Sequence, residues 1–196
     1  MARTANFDPL EVARSARAVF WARGYDAAAI PELEAATGLS RSSIYNTFGS
    51  KRGLFDAAVQ SYLDEIVRPR LQPLEAAEVS ADALVTYLSE LREVFARVAP
   101  NPVANGCLLI NTASSPIASD PEVARVISEY RAELVAAFSR GIAARFPSGS
   151  DAEVALKADT VTALVISAYA MVRVDQALAI NNLDTSLQVV GASEGS

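Results

Sequence analysis

The sequence predicts an all-α chain of about nine helices, arranged as a three-helix head followed by a helical body. Three observations predict it. Apolar residues recur at spacings of three and four along most of the chain, no segment sustains the period-two alternation of a half-buried strand, and the breaks between periodic runs carry Gly, Pro, Asn and Ser. With 196 residues, 51% of them apolar, the chain can bury a sizeable core without cross-links.

The first helix starts at Asp8, a capping residue, with Pro9 suited to the first helical position. Leu10, Val12, Ala13, Ala16, Val19 and Phe20 form its apolar stripe, and Gly24 stops it. A short second helix carries Ile30, Leu33 and Ala36, with Pro31 accommodated in its first turn. Thr37, Gly38 and Leu39 make a tight turn, and Leu39 points inward to join Leu33. Ser40 caps a third helix, SRSSIYNTF, in which Ile44 and Phe48 fall on the buried face. Arg41, Ser42, Ser43, Tyr45 and Asn46 are left outside. Gly49 ends this helix, and Ser50 caps a longer fourth one, KRGLFDAAVQSYLDEIV, which Pro69 and Pro73 end or bend.

Further helical patterns follow over 80–98, 104–113, 121–145 and 152–178, with a weaker one over 182–190. Their breaks lie at Pro100-Asn101-Pro102, around Pro116, from Pro147 to Ser150, and at Asn181-Asn182. The organisation predicted is a head over residues 1–55 and a body over 56–196.

Composition excludes several classes. A single cysteine, Cys107, has no intrachain disulfide partner, and the lack of histidine removes Cys/His zinc sites and the base of a catalytic triad. There is no Gly-rich phosphate loop, HExxH motif or nucleophile elbow. No enzyme, metal or cofactor is therefore expected. No run approaches the roughly 18–20 continuous apolar residues that span a bilayer, and the first residues lack the compact apolar stretch of a signal peptide. A cytoplasmic protein without a membrane partner is the expectation.

A net charge of −6 argues against a polyanionic partner, but its distribution does not. Residues 1–55 hold Arg3, Arg14, Arg17, Arg23, Arg41, Lys51 and Arg52 against Asp8, Glu11, Asp26, Glu32 and Glu34, so the acidic excess lies in the body. Two short helices joined by a Gly-containing turn, on a helix that supplies core, form the tri-helical arrangement that presents its last helix to the DNA major groove. The exposed side of the third helix carries no carboxylate and has side chains that reach base edges or phosphates.

These residues also resemble a known family. GYDAAAIPELEAATGLSRSSIYNTFGSKRGLFDAAV is similar to the signature of the TetR-type (TetR/AcrR) bacterial transcriptional regulators, through Phe20, Gly24-Tyr25, Leu33, Ala36, Gly38-Leu39-Ser40, Ile44-Tyr45, Phe48, Ser50-Lys51 and Leu54-Phe55. NGCLLINTASS at 105–115 resembles the sixth-helix region of one branch. The resemblance implies a two-domain, all-helical homodimer whose affinity for double-stranded DNA is altered by a small-molecule effector. It makes Arg41, Ser42, Ser43, Tyr45 and Asn46 the DNA-facing set, with Arg41 suited to guanine O6 and N7, Tyr45 to phosphate or a thymine methyl, and Lys51 to phosphate. Family members usually carry Thr or Ser where this chain has Ala28 and Ala29, so weaker phosphate anchoring is expected, with Asp26 as a partial substitute cap.

In the body, an effector pocket is expected among Tyr62, Ile66, Tyr87, Leu91, Phe95, Cys107, Leu108, Asn111, Tyr130, Phe138 and Tyr169, suiting a mainly apolar ligand. Cys107 reads as a small buried hydrophobe or as a redox-sensitive thiol. The segment VTALVISAYAMVRVDQALAI is apolar around much of its circumference, so one face packs on the body and the other on a twin, placing a homodimer seam on the last two long helices. The function expected is a ligand-released repressor that binds palindromic operator DNA. The alternative, favoured by the acidic total charge and by Ala28-Ala29, is a helical protein-interaction module that has lost specific DNA binding.

Overall fold

A computed structural model describes residues 7–97 and 105–191. Helices α1 (Pro9–Arg23), α2 (Ile30–Thr37) and α3 (Arg41–Phe48) form the head. The next element is one rod: α4 (Lys51–Tyr62) passes through a π-helical turn (Leu63–Val67) into α5 (Arg68–Glu75). The body continues with α6 (Ala83–Ala96), α7 (Leu108–Ala113), a 3₁₀ turn (Pro116–Ser119), α8 (Pro121–Arg145), α9 (Asp151–Met171) and α10 (Gln176–Val189). Counting α4–α5 as one rod gives nine helices among the described residues, and the chain is all-α.

The head is built as its capping residues dictate. Asp8 accepts from the Leu10 amide at 2.9 Å, and Gly24 ends α1 by donating to the Phe20 carbonyl. Gly38 turns the chain between α2 and α3 at φ 69°, a left-handed conformation that a side chain would strain. Leu33, Ile44, Phe20 and Phe55 are fully buried together, and Phe55 stacks edge-on to Phe20 at 5.2 Å and to Tyr25 at 5.1 Å. Leu10, placed in the apolar stripe by spacing, is 45% exposed, and Phe48 is only half-buried.

In the body, α9 packs between α8 and α10, and α10 also packs on α6. The expected helix over 152–178 ends at Met171, because Asp175 turns its carboxylate to the Leu178 amide at 2.9 Å and caps α10. The pair Asn181-Asn182 breaks nothing. Asn182 donates to the Ser167 hydroxyl at 3.0 Å, Leu183 and Ser186 are buried, and this packing overrides the pair's weak helix propensity. Pro69 and Pro73 do not end the fourth helix either, since Pro69 sits in the first turn of α5 and Pro73 is tolerated inside it. The expected Pro100-Asn101-Pro102 break lies outside the described residues.

Head and body are joined by more than the rod. Trp21 of α1 donates from Nε1 to the Gly106 carbonyl at 3.1 Å and stacks edge-on to Tyr62 at 5.1 Å. Arg14 and Arg17 hold Glu65 of the π-turn at 2.7 and 2.9 Å, and Arg17 also reaches the Ser61 carbonyl. Arg52 of α4 binds Asp56 at 2.7 Å and Asp120, the cap of α8, at 2.8 Å.

Candidate functional site

The N-terminus of α3 is over-determined. Ser40 Oγ accepts from the Ser43 amide at 3.2 Å and lies 3.0 Å from the Ser43 hydroxyl, so Ser43 is committed to the cap and only half-exposed. Glu34 of α2 accepts from the Arg41 amide. It thereby fills a free donor of α3 with the chain's own carboxylate, a contact that spacing did not reveal.

Beyond the cap, Arg41, Ser42, Asn46 and Thr47 are exposed, and Tyr45 is half-buried against the core edge. Arg41 places its guanidinium over the Tyr45 ring at 5.3 Å. Among the described residues no carboxylate pairs with that guanidinium, so its five donors face solvent pre-positioned on an aromatic plane. Lys51, the first residue of α4, sits over the Tyr25 ring at 4.6 Å and reaches the Asp26 carbonyl at 3.4 Å.

Asp26 is not the cap of α2. That position is Ala29, whose side chain accepts nothing from the first-turn amides, and Glu32 makes the other half of a capping box by accepting from the Ala29 amide at 3.1 Å. Ala28 is fully buried. A hydroxyl is therefore missing from the surface only at Ala29.

The expected pocket residues separate into two groups. Tyr62, Ile66, Tyr87, Tyr130 and Tyr169 surround one small internal cavity, of about 10 Å³, together with Val67 and Arg70. Arg70 and Tyr87 also wall an adjoining cavity of about 100 Å³ with Glu90, Leu91 and Val94. Phe95, Cys107, Leu108 and Phe138 lie in the core and line neither. Asn111, outside both, donates to the Asn105 carbonyl at 2.6 Å. Arg70 was not anticipated.

The cavity is a nest of hydroxyls. Cys107 Sγ lies 3.5 Å from the Tyr130 hydroxyl and also approaches Tyr62, while the Tyr169 hydroxyl is within reach of Tyr87 and Arg70. Burial pushes Tyr62, Tyr87 and Tyr130 well above the ordinary phenol value and Tyr169 up to about 12. All four are neutral at physiological pH. Across α4 a separate cleft of about 230 Å³, lined in part by Phe55, Val59, Leu109, Val123 and Val126, runs between α4 and α8.

A tri-helical head with a bare polar third helix, on a helical body with an internal cavity, defines the class: a helix-turn-helix transcriptional regulator rather than an enzyme. The profile described as bacterial regulatory proteins, tetR family, matches residues 13–58. The uncharacterized HTH-type transcriptional regulator YezE of Bacillus subtilis (strain 168) is 34% identical over 146 residues, covering 72% of each chain. The HTH-type transcriptional repressor ComR of Escherichia coli (strain K12) is 27% identical over 127 residues, 64% of this chain and 59% of that one. A cysteine mutant of the TetR family regulator CifR, solved with a 26-bp double-strand operator, superposes with a TM-score of 0.76 at 28% identity, covering 98% of this chain and all of that one. The chain belongs to the TetR family of bacterial regulatory proteins.

Proposed function

We propose that the protein is a homodimeric repressor that binds palindromic operator DNA through residues 1–55 and is released by a small, mainly apolar effector bound in the body over 56–196. The observation that carries this reading is the exposed face of α3, where Arg41 is held over Tyr45 without a carboxylate partner. Arg41 reads a guanine, Tyr45 and Asn46 contact the backbone or a neighbouring base, Ser42 and Ser43 line the approach, and Lys51 binds phosphate beside the start of α4. CifR is complexed with operator DNA, and ComR is a repressor. Both support this direction.

The dimer seam is proposed on α8 and α9. Ala152, Leu156, Ala163 and Ala170 form one exposed stripe of α9, and Leu156 is 69% exposed within the protomer. This helix is long and apolar enough to cross a membrane, yet only 33% of its most apolar window is buried in the protomer. A twin helix covers the rest and explains the composition without a bilayer. Paired recognition helices need a separation of about 34–36 Å to enter successive major grooves. The π-turn is placed to change that spacing, since its Ile66 faces the cavity while its Glu65 is held by α1.

The test is fluorescence anisotropy on the gene's own upstream DNA. Arg41→Ala is expected to weaken specific binding at least tenfold, consistent with about 1–3 kcal/mol for a bidentate guanine contact, and affinity is expected to fall steeply with salt. Equal, weak retention of wild type and an Arg41→Ala, Tyr45→Ala variant would establish the interaction-module reading instead. Sedimentation of Leu156→Glu is expected to show monomer, and an unchanged dimer would remove α9 from the seam.

A further inference from the structure

The tyrosine cavity is chemically unlike the rest of the core. Its polar wall consists of four neutral phenols and one arginine, and none of its seven lining residues is acidic. Arg14, Arg17, Arg52, Arg68 and Arg145 are each held by carboxylates. Arg70 is not: among the described residues no carboxylate lies within ion-pair distance of it. It lines the inner cavity together with Tyr87 and Tyr169. Arg70 and Tyr87 are the two residues common to the inner and the adjoining cavity, so their side chains separate the two. Ile66, Val67, Leu91 and Val94 supply apolar walls, and Glu90 lies on the outer one.

Resting on the regulator reading above, we propose that the adjoining cavity takes a small carboxylic acid, its carboxylate held by Arg70 and the Tyr87 and Tyr169 hydroxyls at the mouth of the tyrosine nest and its apolar part against Leu91 and Val94. The physical argument is one of sign and of donor count. A carboxylate only accepts hydrogen bonds, while a guanidinium only donates and neutral phenols can donate. A cationic ligand would instead meet the uncompensated Arg70, and a wholly apolar one would separate the hydroxyls from each other without replacing their bonds. The adjoining cavity, of about 100 Å³, is well below the ~300 Å³ at which drug-sized sites begin. That limits the acid to one ring or a short chain.

The test uses the full chain with benzoate, phenylacetate and hexanoate, each compared with its amide, and with benzylamine as the cation. Calorimetric titration and thermal shift are the readouts. At least one acid is expected to bind at least tenfold more tightly than its amide. Arg70→Gln is expected to abolish that preference, Arg70→Lys to restore part of it, and Tyr87→Phe or Tyr169→Phe to weaken the acid several-fold with little effect on the amide. Arg70 is exposed, so the ligand-free melting temperature of its variants reports that the fold is intact.

Three results overturn the assignment: no acid binds, an amide or benzylamine binds as tightly as the acids, or the preference survives in Arg70→Gln. Operator affinity measured in parallel separates this claim from the one beneath it. An acid that binds through Arg70 and leaves operator affinity unchanged upholds the site and removes its regulatory role. Release of both wild type and Arg70→Gln by the same uncharged compound overturns the carboxylate assignment and leaves the regulator standing.

Discussion

Replacing Trp21 with Phe tests whether the head is welded to the body or merely attached through a continuous helix. Trp21 is 6% exposed, its Nε1 donates to the buried Gly106 carbonyl at 3.1 Å, and its ring stacks edge-on to Tyr62. Phenylalanine keeps an aromatic ring but removes the donor, and the orphaned carbonyl costs about 1–3 kcal/mol. The smaller ring also forfeits packing, on the order of 1 kcal/mol. The expected loss is then about 2–4 kcal/mol, which for a chain of this size lowers the melting temperature by roughly 5–15 °C. Thermal unfolding followed by circular dichroism is the appropriate assay, because the substitution removes the chain's only tryptophan. A fall under about 2 °C would refute the reasoning, since it would mean that the Gly106 carbonyl finds another donor and that the head contributes little through this contact.

Ser40→Ala removes the α3 cap and is expected to cost about 1 kcal/mol, with a larger proportional loss of operator affinity in anisotropy because the first turn carrying Arg41 frays. Gly106→Ala is expected to destabilise more than Trp21→Phe in the same melts: its backbone sits at φ +75°, and a Cβ would stand 2.5 Å from the Tyr169 carbonyl oxygen. Acidification is expected to loosen the head from the body. Hydrogen bonds from Arg52 and from the Val123 and Glu122 amides hold Asp120 below its ordinary 3.8, and burial pushes Glu65 up but Arg14 and Arg17 outweigh it, leaving it below 4.5. Both folded values lie below the unfolded ones, so their stabilisation is complete above about 4.5 and is lost as the pH falls through and below that range. Melting temperatures between pH 6 and pH 3 should therefore fall less steeply for Asp120→Asn and Glu65→Gln than for wild type, and parallel curves would contradict the linkage.

The head was legible because each boundary in it is decided locally. Asp8, Gly24, Gly38, Ser40, Gly49 and Ser50 are caps or turns whose effect is confined to neighbouring amides, and the structure uses them as spacing predicts. α8 matches the expected 121–145 for the same reason, with Asp120 and Pro121 setting its start. Two boundaries were misplaced, one set by a tertiary contact and one by a local cap inside an apolar run. Asn181-Asn182 looks like a break until Ser167 is brought beside Asn182, and 152–178 looks continuous until Asp175 is seen to turn toward the Leu178 amide. The start of α2 falls between these cases, because Glu32 at the third helical position is a local signal that binds back to the Ala29 amide, the half of a capping box that needs no hydroxyl at Ala29.

Arg70 shows most clearly why part of the tyrosine cavity escaped a helical reading. In a regular α-helix each residue advances about 100°, so Arg70, eight positions beyond Tyr62, would stand about 80° away from it, and Pro69 would share its face instead. The π-turn at Leu63–Val67 absorbs one extra residue. Arg70 then lies within about 20° of Tyr62, since seven effective steps nearly complete two turns. Tyr62, Ile66 and Arg70 thus line one cavity at an interval of four, while Glu65 is turned to Arg14 and Arg17. No residue in LDEIV marks a π-turn by type, since each is compatible with an ordinary helix. The turn is fixed by what surrounds it, the two arginines of α1 on one side and the tyrosines of the body on the other. The same irregularity that hid Arg70 from the sequence joins the cavity to the head, and deleting one residue from LDEIV, which removes the extra residue and leaves Arg70 seven regular steps from Tyr62, should keep Arg70 on the cavity face.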